Sequence, residues 1–299
     1  MILDEYVIIS EVEDKLDKLP DSLKADLQKV ADDNKVLLMS YIAPEMIRKS
    51  PASYGYASIK IRDLYKIEEE IEKLKASKQL PKKLHLIIQT PGGELYTTIK
   101  IAKYLQSIFG DQIEAYVPYE AASGGTILCL AAKTITMDNA SNLTPIDPQL
   151  SYKDETVSAN SYEQALDDFK KEYGKISPVE IPPPYQQMGR VFDPIIAKEM
   201  DKIARDTLSS SFKLLLKSQI PNPKDPAARR KLFLAAWGLA NSDWLHSHVI
   251  TADEAKDEIG LNIDRSVAKL KLLSLYKKWV SARLKEQTDN HIIECICPK

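Results

Sequence analysis

The chain has 299 residues, 44% of them hydrophobic and 28% charged, which is ordinary for one large globular domain or one domain with a helical extension. Lysine and arginine number 41 against 43 aspartates and glutamates, so the net charge of −2 offers no basic excess for holding a phosphate backbone. We therefore do not expect a nucleic-acid partner.

The cysteines and the N-terminus indicate the cellular setting. Cys129, Cys295 and Cys297 are an odd set without the spacing of a zinc site, which favours a reduced environment and no metal. The start MILDEYVIISEVEDKLDKL mixes acids into its apolar stretches, unlike a signal peptide. No segment approaches the roughly 20 apolar residues that a membrane span needs. We expect a cytoplasmic protein with no membrane span.

The first third of the chain alternates helical and extended patterns. Residues 10–34 have apolar side chains at helical spacing, with Pro20 expected to split the stretch into two helices. Residues 36–42 form a short β-leaning run, and a charged helix follows over about 63–77. A strand and a helix therefore follow a helical N-terminal arm.

Two consecutive strand, glycine-turn and helix units are the clearest pattern. Residues 84–88 read as a buried strand, which Thr90-Pro91-Gly92-Gly93 ends before a helix begins near Leu95. A second strand at 115–117 is followed by Ser123-Gly124-Gly125, which opens another helix, and 135–137 reads as a third strand. Such repeats predict an α/β fold with a parallel sheet covered by helices.

The chain beyond Asp147 is predicted to be mostly helical. The predicted helices cover about 161–173, 194–218, 227–240, 252–259 and 265–286, with a proline-rich link before the second. In the last helix we expect an apolar stripe of Ala268, Leu272, Leu275 and Trp279.

The two glycine turns can form a reaction site. Backbone N–H groups at both helix starts lack helical partners and point at one edge of the sheet, where ligands of open α/β sheets gather. Ser123 stands at the second start between small neighbours, as a nucleophile beside an oxyanion hole would. The plainer interpretation is two tight turns with Ser123 as a helix N-cap. A phosphate site is disfavoured because neither GxxxxGK[ST] nor GxGxxG occurs.

Four blocks carry a family resemblance. LHLIIQTPGGELYTTIKIAKYL, VPYEAASGGTILCLAAKTITMD, LTPIDPQL and WLHSHVITADEAKDEIGLNID, in this order, resemble the serine dehydrogenase proteinase family of the Clp-protease/crotonase fold, a relative of signal peptide peptidase A. The resemblance divides the chain into a helical arm (1–34), a peptidase domain (35–264) and a C-terminal amphipathic helix and tail (265–299).

The resemblance implies roles for the residues of both turns. Ser123 matches the nucleophile, Gly93 and Gly124 match the positions whose N–H groups face the oxyanion, and Gly92 shapes the turn. No metal or organic cofactor is implied.

The general base has two candidates. The place of the histidine of Clp-like relatives holds residues 144–149, which contain none. The resemblance to lysine-dependent relatives implies Lys202, with Lys175 and Lys198 as lesser candidates, and such a base must be desolvated to bring its pKa towards neutrality.

His246 is the other candidate, because Trp244-Leu245-His246 matches a Trp-x-His element of the family. Ser247 stands where the family commonly has Asp, so a carboxylate to orient His246 would have to come from Asp147 or Asp253. The alternative is a structural His246 packed by Trp244.

The remaining polar candidates have simpler interpretations. Asp147 is expected to cap the following turn, and it can also accept hydrogen bonds in the site or take part in acid–base work. We expect His248 at the surface and His85 packed within its strand.

The predicted function is peptide-bond hydrolysis through an acyl-enzyme on Ser123, with a protein or peptide substrate and assembly into a homo-oligomer. One alternative is a crotonase-type acyl-CoA enzyme, which would use a glutamate such as Glu94 or Glu120. The other is a non-catalytic scaffold or peptide-binding protein.

Overall fold

The structure is a computed structural model, and its helices and strands follow the predicted order closely. It describes residues 19–43, 58–152, 155–177, 179–190, 192–219, 224–241, 244–285 and 290–299. Residues 10–18 of the predicted N-terminal helices and residue 286 of the last one lie outside the described residues. The strands are β1 (Val36–Ile42), β2 (Lys83–Gln89), β3 (Ile113–Tyr116), β4 (Glu120–Ala121), β5 (Thr134–Thr136), β6 (Asn142–Leu143), β7 (Gln149–Tyr152), β8 (Glu155–Ser158) and β9 (Ile292–Ile296). The helices are α1 (Asp21–Asn34), α2 (Ile61–Ala76), α3 (Leu95–Phe109), α4 (Gly124–Leu130), α5 (Ala159–Tyr173), α6 (Pro183–Gly189), α7 (Pro194–Ser218), α8 (Pro226–Ala240) and α9 (Val267–Arg283), with a π-helical turn at Glu254–Glu258.

The main sheet has the strand order β5-β3-β2-β1-β9. β1, β2, β3 and β5 are parallel, and β9 pairs antiparallel with β1 along the edge. Every residue of β1 is buried, as expected of a central strand covered on both faces. The α/β fold class predicted from the sequence is confirmed.

Two apolar layers cover the two faces of the sheet. Leu37, Met39 and Tyr41 belong to one core, which α2, α3 and α4 complete. Val36, Leu38 and Ile42 belong to the other, which α1 and α9 complete. The alternation arises because successive side chains of a strand point to opposite faces.

The C-terminal segment differs from its prediction in two respects. The fully buried residues of α9 include Leu273, Tyr276 and Trp279, whereas the predicted Leu272 is only partly buried beside them and Ala268 is exposed. These buried residues pack on the sheet of their own chain. Strand β9 was not predicted at all, because its centre is a glutamate.

The buried carboxylate of that glutamate, Glu294, has two partners. It accepts hydrogen bonds from the Trp279 indole at 2.8 Å and from the Arg283 guanidinium at 2.7 Å. A buried charge is tolerable when it is paired in this way.

The helices beyond Asp147 begin where the sequence supplies caps. Asp193 accepts hydrogen bonds from Ile195 and Ile196 N–H at the start of α7, and Asp225 accepts one from Ala227 N–H at the start of α8. Among the described residues, no helix is long and apolar enough to cross a membrane.

The fold brings the two glycine turns together at one edge of the sheet. One turn follows β2, and the other follows β4, which pairs in parallel with β6 beside the main sheet. A bridge between Thr90 and Ala121 joins the ends of the two strands, and another joins Ile59 to Gly93.

Candidate active site

Ser123 has a strained backbone at the turn between β4 and α4. Its φ is +48° and its ψ is −106°, a conformation that residues with a Cβ rarely adopt. The Ser123 N–H donates a hydrogen bond of 2.8 Å to Thr144 Oγ1. Although Ser123 occupies the N-cap position of α4, its hydroxyl makes no capping hydrogen bond to the helix. The interpretation of Ser123 as a side-chain cap is therefore wrong, and capping does not occupy its hydroxyl.

Two buried threonines fix this turn, and neither was predicted from the sequence. Thr126 Oγ1 lies 2.8 Å from the carbonyl oxygens of both Ala121 and Thr144. Thr144 in turn receives the Ser123 N–H. In the sequence, Thr126 is only a hydroxyl residue three positions after Ser123, and Thr144 is only one that precedes Pro145.

The facing turn at Gly92 and Gly93 lies directly against the Ser123 turn. A Cβ on Gly92 would lie 2.8 Å from Ala122 O and 2.9 Å from Ser123 Cβ. Gly92 also has a φ of +101°, which favours glycine. Both the contact and the backbone therefore require a residue without a side chain at this position.

Two backbone N–H groups in these turns are available to a ligand. Among the described residues, neither Gly93 nor Gly124 donates its N–H to another backbone carbonyl. The Gly93 nitrogen lies 3.3 Å from the point that a Cβ on Gly124 would occupy. An oxyanion hole requires two such donors beside the nucleophile.

Both turns line a cavity of about 630 Å³. This volume is within the range of small-molecule and peptide sites. Apolar side chains supply much of the wall, and two carboxyl groups, of Glu94 and Asp147, and the imidazole of His246 also line it. The lining residues are Ser58, Pro91, Gly92, Gly93, Glu94, Leu95, Tyr96, Thr97, Ser123, Gly124, Ile127, Ile146, Asp147, Pro148, Gln149, Leu150, Ile203 and His246.

Asp147 is a buried carboxyl at the start of α5. It is 6% exposed and accepts a hydrogen bond of 3.4 Å from the Asn160 N–H in the first turn of α5, rather than from the turn that directly follows Asp147. Burial raises the pKa of Asp147, although hydrogen bonds from Ser158 and Asn160 and the proximity of His246 act in the opposite direction.

His246 shares the cavity with Ser123 and interacts electrostatically with Asp147. Its Nδ1 is buried and has no hydrogen-bond partner among the described residues. The expectation that Trp244 packs on His246 is wrong, because Trp244 stacks on His248 with ring centroids 4.5 Å apart. His248 is thus only partly exposed, and its ring carries the contact expected of His246.

Lys202 has a different environment from the one a lysine base needs. Its side chain is 58% exposed, and its ammonium pairs with Glu199 at 2.6 Å. The hydrogen bond to Glu199 raises the pKa of Lys202. Lys198 and Lys175 are exposed as well. No lysine lines the cavity among the described residues, although Ile203, the neighbour of Lys202, does.

Of the two glutamates that the crotonase alternative could use, only Glu94 lines the cavity. Glu94 lines the cavity and accepts a hydrogen bond of 2.8 Å from the Thr97 hydroxyl. Glu120 does not line it, and its carboxylate lies 3.4 Å from the Asn142 amide. His85 packs between Tyr116 and Tyr276, as predicted.

Two relatives in Methanocaldococcus jannaschii resemble most of the chain. The "Uncharacterized protein MJ0137" is 29% identical over 235 residues, which cover 77% of this chain and 72% of the relative. The "Uncharacterized protein MJ1495" is 26% identical over 234 residues, which cover 76% of this chain and 69% of the relative.

Solved structures that match the chain include two of the "1510-N membrane-bound stomatin-specific protease". One has a TM-score of 0.43 at 15% identity and covers 73% of this chain and 80% of its own. The other, with a substrate peptide bound, has a TM-score of 0.42 at 15% identity and covers 73% and 75%.

A protein family matches the chain through the region that holds most of the candidate site. The match covers residues 40–177, which include both glycine turns, Ser123 and Asp147, and the family is described as ClpP-like SDH-type serine proteinase. This match confirms the family resemblance of the four sequence blocks and the serine peptidase function inferred from it. The chain therefore resembles the ClpP-like SDH-type serine proteinase family over residues 40–177.

Proposed function

We propose that the chain is a serine endopeptidase in which Ser123 forms the acyl-enzyme and the N–H groups of Gly93 and Gly124 bind the oxyanion. The observation that carries the proposal is the strained turn of Ser123, whose uncapped hydroxyl faces the same cavity as the two unpaired donors. Strained backbone conformations persist only where the surrounding structure holds them, and they concentrate at functional sites.

The reaction proceeds in two steps. Ser123 Oγ attacks the scissile carbonyl carbon while a base accepts the hydroxyl proton, and the oxyanion that forms is stabilised by the two N–H groups. Collapse of the tetrahedral intermediate breaks the C–N bond, and the amine leaves with the proton held by the base. Water then attacks the acyl-enzyme in the same way and releases the acid and Ser123.

His246 is the base that the surroundings of the site favour. It lines the cavity with Ser123, and the buried carboxylate of Asp147 interacts with it. Asp147 can therefore stabilise the imidazolium that forms when His246 takes the proton, which is the role that the residue at 247 cannot fill because it is serine.

Lys202 remains the alternative base. It would have to leave Glu199 and lose its exposure to water, since only a neutral amine accepts a proton. A neighbouring copy of the chain could supply the necessary cover. This requirement ties the lysine mechanism to the oligomeric state.

Homo-oligomerisation and a cytoplasmic setting stay predictions. Exposed apolar side chains on α8, among them Phe233, Leu234 and Trp237, offer a surface that an oligomer could cover. Light scattering after size exclusion tests the first prediction, and a mass of 33.7 kDa at micromolar concentration would contradict it.

Hydrolysis assays test the proposed function. The wild-type protein and Ser123→Ala, purified identically, are compared on fluorescently labelled casein and on a peptide thioester. We expect hydrolysis by the wild type and none by the variant. Equal turnover by both would remove Ser123 from the reaction. Acyl-CoA binding without hydrolysis would favour the crotonase alternative, and neither activity would favour a scaffold.

A further inference from the structure

A buried row of polar side chains leads from α2 to the glycine turn that follows β2. His291, just before β9, has a fully buried side chain whose Nδ1 lies 3.2 Å from Asp63 Oδ2 on α2. Its Nε2 lies 2.8 Å from Thr90 Oγ1 at the end of β2. The ring also stacks on Tyr41, with centroids 4.3 Å apart. His291 therefore joins α2 and the end of β2 to a segment about two hundred residues away in the chain.

Thr90 connects this row to the candidate oxyanion hole. Its Oγ1 accepts a hydrogen bond of 3.1 Å from the Gly92 N–H. Its backbone is bonded to the strand before Ser123, because Thr90 N–H donates to Glu120 O and Ala122 N–H donates to Thr90 O. One buried residue thus contacts both turns.

The donors and acceptors of the row have a consistent direction. An ionised carboxylate only accepts hydrogen bonds, so a proton on His291 Nδ1 suits the 3.2 Å approach of this nitrogen to Asp63 Oδ2. In the tautomer with its single proton on Nδ1, Nε2 accepts from the Thr90 hydroxyl, and the oxygen of that hydroxyl accepts from the Gly92 N–H. Hydrogen bonds aligned in this way polarise one another.

Asp63 holds the other end of the row in place. Its Oδ2 accepts hydrogen bonds from the Tyr41 hydroxyl at 2.8 Å and from the Lys60 N–H at 3.0 Å. Burial opposes ionisation of Asp63, but these bonds and the nearby His291 outweigh it, and the pKa of Asp63 is lowered. Asp63 is therefore an anchored anion towards which His291 can orient its ring.

We propose that His291 is a positioning residue for the oxyanion hole, acting through Thr90 on the Gly92-Gly93 turn. The proposal rests on the proposed function, because it concerns the N–H group of Gly93 that would bind the oxyanion. A displacement of about 1 Å at such a donor costs on the order of 100-fold in rate, so a buried clamp on this turn affects catalysis directly.

The alternative is a buried cluster that only stabilises the fold. Two pairs of variants separate the possibilities. Thr90→Val removes the hydroxyl and keeps the methyl group that lies against Gly125, whereas Thr90→Ser keeps the hydroxyl. His291→Asn keeps a donor near Asp63 and loses the contact with Thr90, whereas His291→Gln keeps a polar group near Thr90.

Glu294→Gln on β9 is the matched control for lost stability. Glu294 is as buried as His291 but bonds to Trp279 and Arg283 instead of the glycine turn. We expect it to lower the unfolding midpoint and to leave kcat within about twofold.

The test measures kcat, KM and unfolding midpoints on the peptide thioester with the full-length variants. We expect Thr90→Val and His291→Asn to lower kcat by about 30- to 100-fold with KM within about threefold, because a misplaced donor acts on the transition state. Thr90→Ser and His291→Gln should retain kcat within about fivefold, since the contact at Thr90 survives.

Two results would overturn the proposal. One is a loss of kcat in His291→Asn no greater than in Glu294→Gln at an equal loss of stability. The other, which decides the matter if the His291 variants do not fold, is equal kcat for Thr90→Val and Thr90→Ser. An inactive wild type would instead contradict the proposed function.

Discussion

Ser123 combines a residue type with a backbone conformation that does not suit it. Its φ of +48° places the Cβ in a region that costs roughly 1–3 kcal/mol for a residue other than glycine. The packed turn of Gly92 and the hydrogen bond to Thr144 hold this conformation. In this conformation the hydroxyl makes no capping hydrogen bond to the helix that Ser123 precedes.

The strain at Ser123 predicts an unusual order of stability. The free energy of unfolding of Ser123→Gly, measured with urea, should exceed that of Ser123→Ala by about 1 kcal/mol, because glycine adopts the positive φ without a clash. Both variants lose the hydroxyl, so they form a matched pair. An alanine variant as stable as the glycine variant would show that the turn is unstrained.

The identity of the base can be decided by three substitutions. His246→Ala should lower kcat by about 100-fold or more, as the loss of a general base does, while Lys202→Ala stays within about threefold. Lys198→Ala is the control, since it lies four residues from Lys202 and is also exposed. An active His246→Ala with an inactive Lys202→Ala would assign the base to lysine.

The two glycine turns depend on each other for their shape. The turn at Gly92 lies within van der Waals contact of Ala122 and Ser123, so neither turn can move alone. The elements around them, β2 with α3 and β4 with α4, serve to bring the turns to one edge of the sheet.

Alanine at two glycines should have opposite effects. Gly92→Ala should destabilise the protein and abolish hydrolysis, because its Cβ would meet Ala122 O at 2.8 Å and Gly124 N at 2.9 Å. Gly238→Ala on α8, where nothing lies within 4 Å, should stabilise it by about 0.5–1 kcal/mol. Thermal unfolding with the thioester assay measures both, and an active, stable Gly92→Ala would contradict the close packing of the turns.

The carboxyl of Asp138 links the end of β5 to α9. Burial raises its pKa, but the hydrogen bond from Lys277 at 2.7 Å and that from the Ala140 N–H outweigh burial, so the pKa is lowered on folding. The ionised Asp138 therefore contributes fully to folding stability above its ordinary pKa of 3.8. This contribution is lost as the pH falls through the lower pKa of the folded state.

Asp138→Asn should accordingly be less stable than the wild type at pH 7, and the difference should shrink below about pH 4. Urea unfolding at both pH values measures it. Lys277→Met should remove most of this pH dependence. A difference between wild type and Asp138→Asn that is independent of pH would show that the ion pair does not act.

At the scale of the whole molecule, the C-terminal segment completes the sheet. β9 covers the edge of β1, and the buried pair of Arg283 and Glu294 ties it to α9. Removal of this segment would expose a strand edge and leave Asp63 without His291. Truncation before Arg265 would therefore remove part of the core.

Local sequence patterns predicted the parallel strands of the main sheet, most helices and the two glycine turns. Such patterns suffice because the spacing of apolar residues and the positions of glycine and proline determine structure over short stretches of chain. They could not predict β9 or the orientation of α9, since Glu294 and Arg283 are buried only as partners of each other. His291 was missed for the same reason: its contacts, Asp63 and Thr90, lie about two hundred residues away in the chain. Lys202 was chosen from resemblance, although the helical spacing places it on a flank of α7 away from the apolar stripe.

The most direct test of the central claim is covalent labelling with a fluorophosphonate probe, followed by peptide mapping. The proposed mechanism predicts one adduct per chain, on Ser123, with labelling absent in Ser123→Ala and retained in Lys198→Ala. An adduct formed equally in Ser123→Ala, or an unlabelled wild type that hydrolyses the thioester, would contradict the assignment of Ser123 as the nucleophile.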